Sequence, residues 1–434
     1  MIELMKTRAG VLALVFSVFL CNCSVAKLGD FQEPCQFISE QRTSENQINK
    51  GEKLYPIFDD ASWGFIDSKG NIKIEPQFRA VDEFAEGLAA FKSPIDGGWG
   101  YVNTDGDVAI EPIFNAASRF YEERAIVSVD GKRGYINTDG EYILRPLYDN
   151  ALRFSEGRAF VLTGNSWRLI DKNGEFITEN SFKQVNSFRE GLASFVGFNN
   201  DYRMSGYIDT KGEIVFLMTD DFSVHIENAG FSNERATVSR LAPLSPARFL
   251  NFRWAKVYGA IDQSGQLVVP TKYDYISLYS ECIAIVKRDQ HYGAIDLDGN
   301  VVISLRYSYL AEFHEGLALA QKREGEKFGY INLKGEWILE PIQDIDYSYP
   351  LQSSFQLQDL PKSRNFYSDR ALFRSSNGKY GYIDKTGKII IEPTFDLAFP
   401  FEGELAKFEN SSRVGYIDLD GDVVWSANKS GENW

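Results

Sequence analysis

Histidine, methionine and cysteine are scarce in this chain of 434 residues, with three, four and four copies. The histidines, His225, His291 and His314, stand in separate stretches without the short spacings by which imidazoles share a metal ion. Cys21 and Cys23 fall in an N-terminal leader, which leaves Cys35 and Cys282 far apart and implies no framework of disulfides. Basic charge is also short: 46 Lys and Arg against 61 Asp and Glu give a net charge of -15. A nucleic-acid surface needs a basic footprint, and so does attraction to anionic lipid, so both are excluded as direct partners. No run with a sustained helical period occurs, and the longest apolar run, Ala9–Cys23, is too short to span a bilayer. Gly-x-Ser-x-Gly elbows, His-Glu-x-x-His helices and phosphate-cradling loops are missing as well, and no cofactor is implied.

What the chain has in abundance is aromatic residues, 32 Phe and 22 Tyr among them, and glycine at a fixed interval. The pattern Gly-aromatic-Ile-(Asp/Asn)-x-x-Gly, clearest at Gly134–Gly140, begins at Gly64, Gly100, Gly134, Gly206, Gly259, Gly293, Gly329, Gly381 and Gly415, with a degenerate copy from Arg168. Successive starts lie 36, 34, 34, 38, 53, 34, 36, 52 and 34 residues apart. Such regularity marks one supersecondary unit duplicated into an array.

One unit reads in physical terms. Gly64-Phe65-Ile66 opens a strand, and Asp67-Ser68-Lys69-Gly70 fits a type I turn closed by a glycine bulge. The Asp side chain holds its own backbone, and glycine takes the left-handed position at least cost. The turn glycines are Gly70, Gly106, Gly140, Gly212, Gly265, Gly299, Gly335, Gly387 and Gly421. Ile72 and Ile74 then alternate with Lys73 and Glu75 as a half-buried strand, which Pro76 is expected to end. A corner and a third strand follow at Phe84-Ala85-Glu86-Gly87-Leu88-Ala89, repeated around Glu156, Glu190 and Glu315.

These features resemble the WG-repeat family of bacterial proteins, whose units open on Trp-Gly and carry an Ile-Asp-x-x-Gly turn, a Pro-x-(Phe/Tyr) step and a Glu-Gly-x-Ala strand. Literal Trp-Gly stands at Trp63-Gly64 and Trp99-Gly100; Tyr258, Tyr292, Phe328 and Tyr380 substitute another aromatic, whereas Arg133, Ser205 and Val414 do not. The resemblance spans roughly residues 55–425 and implies repeats of unassigned or interaction roles. The aromatic before each opening glycine is expected to pack between units, although a ladder for stacking sugars is the other use of such residues.

The domain reading is an export signal region over 1–26, a polar tether over 27–54 and the repeat array over 55–434, with insertions near 241–252 and 350–365. Lys6 and Arg8 before the apolar run describe an export signal. Leu20-Cys21-Asn22-Cys23 resembles a relaxed lipobox that would place a lipid on Cys23; Ser24-Val25-Ala26 offers ordinary cleavage instead. The destination is the cell envelope, as an outer-membrane lipoprotein or as a periplasmic or secreted protein.

The expected fold is all-β, an elongated solenoid-like stack of about ten hairpin units of roughly 34 residues each, with a closed β-propeller as the alternative. Propeller blades usually need four strands, and each unit shows three. The recurrent glutamates occupy equivalent positions, as structural corners do, whereas glycoside hydrolysis needs one carboxylate pair set apart by environment. The acidic run Asp418–Asp422 reads as a hairpin turn, because Gly421 arrives too early for a calcium loop. The function expected is a non-catalytic scaffold, not an enzyme, that binds protein or glycan through a repeat face and the inserted loops. A glycan hydrolase of the envelope and a structural surface protein without a ligand are the alternatives.

Overall fold

The computed structural model describes residues 53–199, 202–218, 223–224, 230–243, 254–341, 345–346 and 365–429. The export signal region with Cys23, the tether up to residue 52 and the interiors of both insertions lie outside these residues. Every regular element described is a strand, and the strands form ten separate antiparallel sheets. Eight sheets have four strands in simple succession, as in Ala80–Val81, Leu88–Lys92, Trp99–Asn103 and Val108–Phe114. The fourth member, invisible in the repeat pattern, is the two-residue strand that precedes each corner.

The sheets follow the chain as blades. Blade 1 spans Tyr55–Phe78, blade 2 Ala80–Phe114 and blade 3 Ala116–Tyr148. Blade 4 begins at Asn150, and its fourth strand is reduced to the isolated bridges Trp167–Phe182 and Ile170–Phe176. Blade 5 spans Gln184–Leu217, blade 6 Ser223–Tyr273, blade 7 Tyr275–Tyr307, blade 8 Tyr309–Leu339, blade 9 Ile345–Phe395 and blade 10 Leu397–Asn428. Antiparallel succession puts the corner between first and second strands on the same face as the turn between third and fourth. Each second-to-third hairpin and each connection to the next blade lie on the opposite face.

Apolar side chains from both faces of each sheet are buried between neighbours. Leu88, Ala90, Tyr101, Ile110 and Phe114 of blade 2 meet Phe120, Ala125, Val127 and Ile136 of blade 3. Tyr101 donates its hydroxyl to the Ser118 carbonyl across this seam at 2.7 Å, as Tyr382 does to Phe399 at 2.6 Å. The same construction joins the two ends. Leu405 and Tyr416 of blade 10 pack on Tyr55, Ile57 and Ile66 of blade 1, and the Tyr416 hydroxyl reaches the Pro56 carbonyl at 2.8 Å.

The repeats therefore close into a ten-bladed β-propeller, the second of the two expected architectures. Blade 10 carries all four of its strands, blade 1 carries three, and side-chain packing rather than strand exchange seals the ring. The tether boundary moves accordingly, because Leu54 is already 3% exposed within the core of the first blades.

Pro76 does not end its strand. The outer strand of blade 1 runs Ile72–Phe78, and its pairing slips between Trp63–Phe78 and Phe65–Ile74, so the extra residues bulge at Glu75-Pro76. An outer strand has no further ladder to donate to, which removes the penalty for proline. The bulge also explains the opening glycine. A Cβ on Gly64 would stand 2.4 Å from the Ile74 carbonyl oxygen and 2.7 Å from the Pro76 nitrogen.

Candidate functional site

The turns and corners account for most of the polar residues singled out in the sequence. At Asp67 one carboxylate oxygen accepts the amides of Lys69 at 2.9 Å and Asn71 at 2.8 Å, while the other accepts the Asn71 side chain at 2.8 Å. Burial raises the Asp67 pKa, but these hydrogen bonds and Lys73 outweigh it, so the net shift is downward. The nine turn glycines all hold positive φ, and so does Gly174 of the degenerate copy. Asp418 repeats the arrangement, accepting the amides of Asp420 at 3.0 Å and Asp422 at 2.9 Å.

The corner glutamates tie blade to blade. Glu86 accepts the amides of Glu122 and Glu123, each at 2.7 Å, and Glu190 accepts those of Asn233 at 2.8 Å and Glu234 at 2.7 Å. Glu156 takes the Gly191 amide at 2.8 Å, and Glu315 takes those of Ser368 at 3.0 Å and Asp369 at 3.1 Å. These carboxylates stand at equivalent seams, each engaged with the corner of the next blade. At the closing seam Tyr55 substitutes, its hydroxyl accepting the Glu404 amide at 3.1 Å.

The remaining candidates separate. His291 contacts the Asp289 carbonyl oxygen through Nδ1 at 2.8 Å, while the His314 ring lies 4.4 Å from that of Tyr367. His225 lies outside the described residues. Cys282, at the corner position that holds glycine in blades 2, 4, 5 and 8, is disulfide-bonded, and the other three cysteines lie outside the described residues. The insertions leave opposite faces: one departs from the second-to-third hairpin of blade 6 after Pro243, the other from between the first strand and the corner of blade 9.

One sector departs from the repeat. The residue before the opening glycine faces the first residue of the next blade's short strand, as the Arg133–Asn150 hydrogen bond between blades 3 and 4 shows. The equivalent positions hold Trp63, Trp99 and Trp167 before the glycine, and Ala80, Ala116 and Gln184 at the start of the next blade's short strand. Between blades 6 and 7 the pair becomes Tyr258 and Tyr275; between blades 7 and 8 it becomes Tyr292 and Tyr309. Phe328 of blade 8 extends the series, with ring centroids 6.1 Å apart for Tyr292–Tyr309 and 5.5 Å for Tyr309–Phe328.

Tyr258, Tyr292 and Phe328 pack against the cores between blades, as expected of the aromatic before each glycine, and so does Tyr309, yet all five rings keep an exposed part. Tyr275 is the most open, at 39%. Partial burial pushes its hydroxyl up to about 12, aided by Glu312 and by the hydroxyls of Tyr292, Tyr309 and Tyr258. Lys287 lies over the Tyr292 ring at 4.9 Å. The surface lies toward the face of the second-to-third hairpins, where Phe198 and Leu241 stand exposed on the lengthened hairpins of blades 5 and 6. Sequence reading flagged Tyr258, Tyr292 and Phe328 but missed Tyr275 and Tyr309. The signal for them was tyrosine where other units carry Ala80, Ala116, Asn150 and Gln184.

The chain matches the sequence profile of the WG containing repeat over residues 63–93, 99–132, 134–167, 167–200, 258–290, 292–325, 328–342 and 380–411, more than half its length. Comparison with curated protein sequences gives no match. Among solved structures it is similar to BamB from Moraxella catarrhalis, at 12% identity and TM-score 0.28, covering 85% of this chain and 98% of that one. It is also similar to dipeptidyl peptidase 4 of Porphyromonas gingivalis, at 9% identity and TM-score 0.39, covering 80% and 59%. The Pan2 WD40 domain of Neurospora crassa follows at 11% identity and TM-score 0.24, covering 62% and 86%. By its repeated units, and by the profile that recognises them, the chain belongs to the WG-repeat family.

Proposed function

We propose that the protein is a non-catalytic binding scaffold of the cell envelope, exported by its N-terminal signal and held to the membrane through a lipid on Cys23. The observation that carries the binding role is the half-exposed aromatic surface of blades 6 to 8. Aromatics with polar tips supply large contact area at low conformational cost, which is why they dominate binding hot spots. Corner carboxylates that serve inter-blade hydrogen bonds support a scaffold over a hydrolase. The disulfide at Cys282 supports export, since such bonds persist in oxidising compartments.

Capture from an envelope extract tests the reading. Wild type would be compared with a Tyr275→Ala/Tyr309→Ala variant, with a variant lacking 244–253 and with one lacking 350–364. The first two changes border one face and should reduce the captured material; the third departs from the other face and should not. Identical capture by all four proteins would remove the aromatic surface from consideration. Unchanged metabolic lipid labelling of a Cys23→Ala variant would remove the anchor.

A further inference from the structure

We infer that the aromatic surface of blades 6 to 8 holds a neutral carbohydrate chain, an inference that rests on the scaffold reading above. Fold stability alone does not require these residues. The four seams that join blades 1 to 5 close with alanine, asparagine or glutamine where Tyr275 and Tyr309 stand, and Ala80, Ala116, Asn150 and Gln184 make the same strand. The aromatics of this sector are an addition to a seam that already works.

Their chemistry selects the ligand class. An aromatic face is electron-rich and attracts the weakly positive C–H faces of a pyranose ring, while the tyrosine hydroxyls exchange hydrogen bonds with sugar hydroxyls. Tyr258, Tyr275, Tyr292 and Tyr309 place four hydroxyls in one neighbourhood, close enough to act on the Tyr275 proton. The charge of the surroundings is mixed and small. Lys287 lies against Tyr292, Glu312 faces Tyr275, and Asp274 precedes it. A polyanion would meet Glu312, Asp274 and a protein of net charge -15. A neutral polyhydroxylated chain meets no such field. The rings are inclined to one another, at 50° for Tyr292–Tyr309 and 69° for Tyr309–Phe328, so the surface suits successive units that turn along a chain rather than one flat group.

Native gel electrophoresis of the full chain through gels containing hydroxyethyl cellulose, galactomannan, xylan or laminarin tests this, with alginate as the polyanion. At least one neutral polysaccharide should retard the wild type, and alginate should not. Tyr309→Ala should weaken the retarding interaction about tenfold, the equivalent of one aromatic contact. Leu147→Ala, an exposed change on blade 3, should leave it intact, and circular dichroism should show both variants folded. No retardation by any neutral polysaccharide, or retardation unaffected by the Tyr275→Ala/Tyr309→Ala change, overturns the inference. The scaffold reading is separated from it by treating the envelope extract before capture. Capture that depends on the tyrosines, survives periodate and is abolished by protease would leave a scaffold for protein and defeat the carbohydrate assignment.

Discussion

Ring closure makes a prediction that can be worked from two glycines. Gly70 and Gly106 occupy the same turn in blades 1 and 2, with φ of +82° and +90°. Alanine at either must adopt a left-handed backbone, which costs about 1 kcal/mol. Their surroundings differ. A Cβ on Gly106 meets Ile74 of the preceding blade at 3.5 Å, an ordinary contact. A Cβ on Gly70 would lie 2.0 Å from the carbonyl oxygen and 2.6 Å from the carbonyl carbon of Val424, in blade 10. Backbone must move to admit it, and overpacking of this kind costs a further ~1–3 kcal/mol. Gly70→Ala should therefore cost roughly 2–4 kcal/mol against about 1 kcal/mol for Gly106→Ala. Urea unfolding followed by far-ultraviolet circular dichroism measures both, read from the midpoint with the slope unchanged. The excess exists only if blade 10 sits on blade 1. Equal costs would mean that the ends do not meet in this way.

Further outcomes follow from the same geometry. Tyr416→Phe should cost about as much as Tyr382→Phe, roughly 1 kcal/mol each by chemical denaturation, since both remove a hydroxyl bonded to a carbonyl of the next blade. Lys407 of blade 10 occupies the position of Ala90 and Leu319, and burial lowers its pKa despite Glu402 and Glu83, with Lys53 adding to the lowering. Lys407→Met should raise the melting temperature at neutral pH. Because the folded pKa lies below 10.5, the wild type binds fewer protons when folded and should recover stability relative to this variant as pH rises toward that value. Asp67 shows the opposite sign: its folded pKa is below 3.8, so the stabilisation is present above that value and lost as pH falls through the folded pKa. Asp67→Asn should accordingly cost about 1 kcal/mol at neutral pH, with the difference from wild type vanishing in acid.

The sequence made the local geometry legible and left the global geometry open. Turn glycines, Asx residues and corner glutamates each satisfy a demand set within a few residues, so a single unit such as Asp67–Gly70 reveals them. The short first strand escaped because Ala80–Val81 is too brief to show alternation and is made a strand only by its partners, Phe91 and Lys92. Pro76 misled because its permissibility depends on lying at an outer edge, a property of the assembled sheet. Closure was hidden because Tyr416 and Pro56 stand 360 residues apart and no repeat pattern encodes their meeting. The aromatic sector was half visible: Tyr258, Tyr292 and Phe328 mark a repeat position, whereas Tyr275 and Tyr309 acquire meaning only when the seams bring them alongside.

Placement of every face and seam depends on the ring, and zero-length crosslinking tests it most directly. Lys53 donates from Nζ to the Glu402 carbonyl at 2.8 Å, bringing the start of blade 1 to the corner of blade 10. Lys385 and Glu315, 3.2 Å apart across blades 8 and 9, serve as the internal control. Carbodiimide treatment of the dilute protein, with peptides read by mass spectrometry from the monomer band, should join Lys53 to Glu402 or Glu404. Control links without any Lys53 link to that corner would contradict the closed ten-bladed ring.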